Sequence, residues 1–477
     1  MATIFWYDFE STGINPSVDR PLQVAGIRTN EALEEVGEPF ELYCQPSDDI
    51  LPHPVASLVT GITPATLMQK GVSEAEFITR LNQELARPQT CSAGYNSIRF
   101  DDEMVRYTLY RNFFDPYARE WQGGNSRWDL VDVLRCAYAL RPEGIIWPEE
   151  NGIVSMRLEL LTKANGIAHE NAHDALADVR ATIAMARLLK QAQPKLYNYL
   201  YNLRQKAQVQ NRIKLMQPIL HVSGRFGAER SYLAPVMPLA YHPTNKNAVI
   251  VCDLQADLSV LQALSADELS ERLYTRHVDL KEGQLPVPLK LLHINKCPVV
   301  APLNVLREQD KVRLAWNESL WQSNVHYLSN LAGVAEKVQA IYASNDQAVY
   351  PNKDPEQQLY AGFLSARDRG LCEKLRSLDP ATIAQTKWPF SDERLPELLF
   401  RYRARNFYST LTSAEKRQWQ DYVKARLLDS DYAAPITLSA YKAALIELPV
   451  EQQKAVVLQD WESYINKLME KYQIPNK

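Results

Sequence analysis

Thr3-Ile4-Phe5-Trp6-Tyr7-Asp8-Phe9-Glu10 decides how the rest of the chain is read. It opens as an apolar, aromatic-rich run, the composition of a buried strand. It then sets two carboxylates two residues apart. Side chains at i and i+2 of a strand leave the same face, so Asp8 and Glu10 stand side by side. Two anions held that close repel unless a cation lies between them or one is protonated. A strand running out into the polar turn Ser11-Thr12-Gly13 also accounts for the stretch taken alone.

Working outward, residues 22–29 and 39–44 read as two more strands, making a three-strand meander. Thr63-Pro64 is a helix start, and Phe77, Leu81 and Leu85 give residues 74–86 an apolar helical face. A further strand at 90–95 leads into Asn96-Ser97-Ile98-Arg99-Phe100-Asp101-Asp102-Glu103 and a helix to about residue 114. Asp101 sits at that helix's start, where N-capping is an ordinary use for an acid. Trp128 to Leu134 begins another helix, and 157–165 is a short one closed by Gly166. His169-Glu170-Asn171-Ala172-His173-Asp174 then leads into a helix through about Leu189 that carries Asp178 on its face. Asp174 is expected to serve the helix start rather than a metal. Four acids in three separated segments, with a His five residues before the last, are an improbable coincidence. Three meandering strands followed by alternating helix and strand indicate an α/β sheet with helices on its faces.

Length and composition narrow the classes. A chain of 477 residues holds two or three domains. With 46% hydrophobic and 23% charged residues it is a globular protein, and no apolar run reaches membrane-spanning length. Without a signal-like N-terminus, a cytoplasmic location is expected. The six cysteines contain no C-x-x-C pair, against a zinc cluster or a disulfide framework. Net charge is −4, so a polyanion site must be a local basic surface.

Asp8-x-Glu10, Asn96-x-x-x-Phe100-Asp101 and His173-x-x-x-x-Asp178 resemble the three motifs of the DEDD exonucleases, in the subgroup with His in the third motif. Ala93-Gly94-Tyr95-Asn96, Asn125-Ser126-Arg127-Trp128-Asp129-Leu130, Ala139-Leu140-Arg141-Pro142-Glu143-Gly144-Ile145 and Leu161-Thr162-Lys163-Ala164-Asn165-Gly166-Ile167 resemble the bacterial exonuclease I family more narrowly. The resemblance implies an RNase H-like exonuclease domain over 1–193. It implies a small β-barrel of the Src-homology-three type with connecting helices over 194–345, and an all-helical domain over 346–477. It implies processive 3′-to-5′ hydrolysis of single-stranded DNA to 5′-mononucleotides, in repair and recombination. Asp8, Glu10, Asp101 and Asp178 would hold two magnesium ions, with manganese as a substitute. Hard cations of this kind take carboxylate oxygens, and a pair of them can stabilise both attacking and leaving oxygens. His173 would be the general base. Glu10, Asn96, Arg99, Phe100 and Arg157 would bind substrate. The acidic C-terminal tail of single-strand DNA-binding protein is the implied partner of a monomeric, membrane-free enzyme.

Beyond the motifs, Lys195 to Leu215 reads as a connecting helix. Strands at 219–222, 249–252 and 287–294 flank a helix at 266–274, and His221 and His293 read as structural. Residues 319–343 are helical and 344–355 form a linker. In the helical remainder, Arg401, Arg403 and Arg405 alternate with aromatic residues. They either track DNA phosphates or pair with acids such as Glu393 and Glu397. Two rival functions stand beside the main one: a DEDD enzyme acting on RNA ends or short oligonucleotides, and a catalytically silent single-strand-binding module. The second predicts a broken metal ligand, and none is broken.

Overall fold

The computed structural model describes residues 2–169, 174–343 and 354–475. Five strands build the first sheet: β1 (Thr3–Ser11), β2 (Pro21–Thr29), β3 (Phe40–Tyr43), β4 (Thr90–Gly94) and β5 (Ser126–Asp129), in the order β3-β2-β1-β4-β5. β1 runs antiparallel to β2 and parallel to β4. The meander is therefore present, with β1 in the centre.

Strand periodicity sorts the side chains of β1. Phe5, Tyr7 and Phe9 pack into a core with Val24, Phe77, Leu81, Met104 and Val105. Ile4, Trp6, Asp8 and Glu10 alternate with them and so leave the opposite face. Gly26, opposite Tyr7, is required because a Cβ there would meet the Phe5 ring at 2.3 Å. The pairing shifts register between Glu10 and Ser11, where Pro21 lies across the ladder and has no N–H to donate.

Ser126–Asp129 corrects one expectation. Trp128 and Asp129 end a strand, and the helix begins only at Leu130, with Asp129 capping it through Val131 N–H (3.1 Å). The expected helix over 195–215 is also two pieces, Pro194–Asn202 and Lys206–Gln210. Arg204 ends the first by stacking 3.6 Å from the Tyr201 ring and donating to the Tyr201 carbonyl at 2.7 Å.

The chain divides into two compact units, one formed by residues 1–126, 169–183 and 350–477, the other by 127–168 and 184–349. A hairpin of β6 (Glu149–Glu150) and β7 (Ile153–Val154) belongs to the second. Its main sheet is antiparallel throughout: β8 (Ile219–Val222), β9 (Leu233–Tyr241), β10 (Ala248–Asp253), β11 (Leu289–His293) and β12 (Val299–Ala301), in the order β11-β10-β9-β8-β12. Helix residues Leu269, Val338 and Ile341 share its core. The long central strand β9 escapes sequence reading because Pro235 and Pro238 interrupt its pattern. The structure accommodates Pro238 at a register shift, where Ile250 faces Ala240 but Val251 faces Pro238.

In the first unit the C-terminal helices pack against strand β2 and the segments that flank the first sheet. Trp461 fits among Leu22, Ile62 and Leu67 and donates from Nε1 to the Ile62 carbonyl (3.0 Å). Leu395, Leu398 and Tyr402 share a core with Tyr107, Tyr110 and Phe113. A buried ion network joins the same parts. Arg405 clamps the fully buried Asp49 (Nη2 2.7 Å, Nε 3.1 Å), and Arg20 reaches Glu356 at 2.5 Å.

Candidate active site

β1 delivers Asp8 and Glu10. The other acids arrive on helices. After β4 the chain turns tightly at Gly94, where a Cβ would meet the Tyr7 carbonyl at 2.8 Å, and Asn96 takes a left-handed φ of 60°. The helix Asp101–Arg111 starts immediately, with no side-chain cap at its N-terminus. The capping alternative for these acids is therefore set aside. Asp101 accepts the Phe9 N–H (3.0 Å) at the end of β1. Asp102 accepts from the Tyr7 hydroxyl and from Arg119 Nη2, both at 2.6 Å, with all three residues buried. Asp101 thus meets the end of β1, while Asp102 ties the helix to the strand further back.

Asp178 comes from the first turn of the helix Ala175–Ala192. Asp174 accepts the Leu176 and Ala177 N–H groups (3.0 and 3.3 Å), the helix-start role expected of it. Carboxylate oxygens of Asp8, Glu10 and Asp178 lie within 4.8 Å of one another. Asp101 couples to this group electrically. Burial, then Asp8, raises its pKa well above the carboxylate range, against the pull of the Phe9 N–H. Burial and then Asp178 raise Asp8. Glu10 is pushed up to about 9, by burial first and then by Asp8, Asp178 and Asp174. A cluster that resists being fully ionised when empty, built only of oxygen donors, fits a hard divalent cation.

The remaining expected residues are placed as follows. Asn96 and Arg99 are exposed and Phe100 is half-buried, on the turn that leads into Asp101. Arg157 precedes the helix Leu158–Ala164 in the second unit, exposed, with its guanidinium on Glu159 (2.5 Å) and Glu150 (3.4 Å). His173 lies outside the described residues.

The three arginines correct the DNA-contact reading in favour of its alternative. Arg401 pairs with Asp354 (2.7 Å) and Glu397 (2.8 Å), and Arg403 with Glu415 (2.6 Å). Arg405 pairs with Asp49 and Glu356. Desolvated guanidiniums bound to acids inside the protein are not offered to a phosphate. Sequence reading also passed over His169, whose Nε2 lies 2.5 Å from Asp178 Oδ1. No periodicity marks it; its nearness in sequence to His173 was the one available signal.

A mixed sheet whose central strand ends in two carboxylates, completed by acids from two helices, defines a metal-dependent exonuclease. The family model "Exonuclease" matches residues 5–186, "Exonuclease I SH3-like domain" 204–344 and "Exonuclease I C-terminal domain" 353–468. Exodeoxyribonuclease I of Haemophilus influenzae is 49% identical over 429 residues, covering 89% of this chain and 90% of the relative. The structure of a moderately thermophilic exonuclease I from Methylocaldum szegediense superposes with a TM-score of 0.93 at 45% identity, over 98% of this chain and 100% of that one. The zinc-bound complex of Escherichia coli exonuclease I with single-stranded DNA gives 0.93 at 44% identity, with the same coverage. The chain belongs to the exonuclease I family.

Proposed function

We propose that this chain removes 5′-mononucleotides successively from the 3′ end of single-stranded DNA, using magnesium, with manganese able to substitute. The observation that carries the reading is the convergence of Asp8, Glu10 and Asp178 oxygens within 4.8 Å, at the end of the strand that Asp101 grips. Asp8, Glu10, Asp101 and Asp178 would hold the divalent ions. When bound, these ions neutralise charge on the phosphoryl oxygens and make water a better nucleophile.

The protein's own groups do the rest. His173 takes a proton from the attacking water as its oxygen bonds to the terminal phosphorus. The bond from that phosphorus to the preceding nucleotide's O3′ breaks with its electron pair on O3′, which takes a proton from solvent; a 5′-mononucleotide is freed and a new 3′ hydroxyl remains. The backbone grip on Asp101 and the packing beneath β1 keep the acids from spreading apart under their repulsion. Asn96, Arg99 and Phe100, beside Asp101, position the terminal nucleotide, and Arg157 supplies a cation to the strand.

The test is a ladder assay on 5′-labelled single-stranded DNA, duplex DNA and matched RNA, with magnesium or a chelator. Magnesium-dependent shortening of the single-stranded DNA from its 3′ end is expected. Equal turnover of RNA, or turnover in chelator, would overturn the reading. A large excess of unlabelled trap DNA tests successive removal, and arrest after one nucleotide would sink it. We further assign a cytoplasmic monomer in DNA repair and recombination, which docks the acidic tail of single-strand DNA-binding protein.

A further inference from the structure

The acids of the site are held in two different ways. Asp8 and Glu10 are carried by the ladder of β1 with β2, paired with Ala25 and Gln23. Asp101 and Asp178 arrive on helices and could swing with their side chains. A donor meets Asp101, the Phe9 N–H at 3.0 Å. Among the described residues, His169 meets Asp178, through Nε2 at 2.5 Å from Oδ1.

We propose that His169 is a positioning residue of the metal site: it anchors one oxygen of Asp178 so that the carboxylate stays aimed at the space shared with Asp8 and Glu10. The inference rests on the reading of Asp178 as a metal ligand. The His169 side chain is only 5% exposed, so it is packed in place and not free to follow a substrate. Ionised, as it must be to hold a cation, Asp178 can only accept, so Nε2 is the donor whether the ring is the neutral Nε2–H tautomer or charged. The anchor therefore needs no change of protonation. It also lowers the cost of bringing a fourth anion to the cluster, since a donor aimed at a carboxylate partly replaces its lost hydration. Partners of this kind fix ligand orientation, and their loss typically weakens metal binding by about 10–100-fold.

This assigns the two histidines of the stretch different tasks. His169 would act through Asp178, without touching substrate, whereas the general-base role stays with His173. The substitutions are His169→Ala, which deletes the donor, and His169→Gln, which keeps an N–H of similar reach. Mn2+ is titrated calorimetrically into the DNA-free full-length protein, with thermal melts in EDTA and in Mn2+.

His169→Ala is expected to weaken Mn2+ binding by about 10–100-fold. His169→Gln should recover most of that loss, and turnover should approach the parent's at saturating Mn2+. A residue that only stabilised the fold would lower the melting temperature equally with and without Mn2+; an anchor for Asp178 shrinks the Mn2+-induced rise. Mn2+ affinity within twofold of the parent in His169→Ala would overturn the proposal. So would unchanged affinity with turnover lost at saturating metal, which would make His169 a catalytic group. If His169→Ala does not fold, His169→Gln decides: parent-like Mn2+ affinity supports the anchor, and a loss as large as tenfold despite a parent-like melt in EDTA refutes it. Failure of the parent protein itself to bind Mn2+ would instead refute the metal reading of Asp178.

Discussion

Glu10→Gln should make the metal-free protein more stable while disabling it. Glu10 is buried beside Asp8 and Asp178, and its carboxyl is pushed from 4.5 to about 9. To fold at pH 7 such a group must take up a proton that the unfolded chain does not hold. That costs about 1.4 kcal/mol for each pH unit between 4.5 and 7, or about 3 kcal/mol. The sign follows from a raised folded value. No penalty exists below about pH 4.5; it grows as pH rises and levels off near 9. Gln removes the charge and keeps the shape, so the gain should be up to about 3 kcal/mol at pH 7, and less where the site relaxes or admits water. The assay is a series of thermal melts in EDTA from pH 4.5 to 9 for both proteins. The variant should match the parent at the acid end and exceed it increasingly toward pH 9. Adding Mg2+ should stabilise the parent by mass action and the variant much less. A variant no more stable than the parent at pH 8 in EDTA would refute the idea that electrostatic frustration makes this site depend on a cation.

The other acids and their supports behave differently under substitution. Asp8→Asn, Asp101→Asn and Asp178→Asn should each lower single-strand hydrolysis at least about a thousandfold in the ladder assay, since each removes charge from the cation site. Asp102→Asn, one residue from Asp101, leaves the buried Arg119 without its 2.6 Å partner. It should cost about 3–5 kcal/mol in thermal melts, while activity per folded molecule stays within about tenfold; a negligible change would mean Arg119 re-pairs with Glu120, 3.8 Å away. The Asp49–Glu356 network predicts acid lability of the first unit. Burial pushes both acids up, but the arginines around them, Arg405 foremost, outweigh it and hold both below the ordinary carboxylate range. Their stabilisation is complete above about pH 5 and is lost as pH falls below about 4 toward their folded values. A melting temperature that does not fall between pH 5 and pH 3, or one that Asp49→Asn leaves equally steep there, would contradict this.

Much of the site is legible in the sequence because it is local. Alternation in β1 places Asp8 and Glu10 on one face, away from Phe5, Tyr7 and Phe9, and this needs no knowledge of the partner strands. Asp174's role at a helix start is equally local. The motif resemblance then singles out Asp101 and Asp178, but not how they are held. Asp101 read equally well as a cap; only the parallel pairing of β4 with β1 brings it under the Phe9 N–H. Asp102, beside it in sequence, is the buried partner of Tyr7 and Arg119, which no local pattern announces.

The limits elsewhere have the same origin. Arg401, Arg403 and Arg405 alternate with aromatics as a DNA-binding stripe would, and nothing nearby in sequence announces Asp49, more than three hundred residues before Arg405. β9 was hidden because two prolines break a strand's pattern, yet Pro238 fits once a register shift against β10 absorbs its missing N–H. The sequence by itself determined which residue types face which way along each strand and helix, because side-chain direction follows from backbone periodicity. The tertiary structure decided which charges meet. Pairing energy depends on distance and burial, and both are set by contacts between segments far apart in the chain.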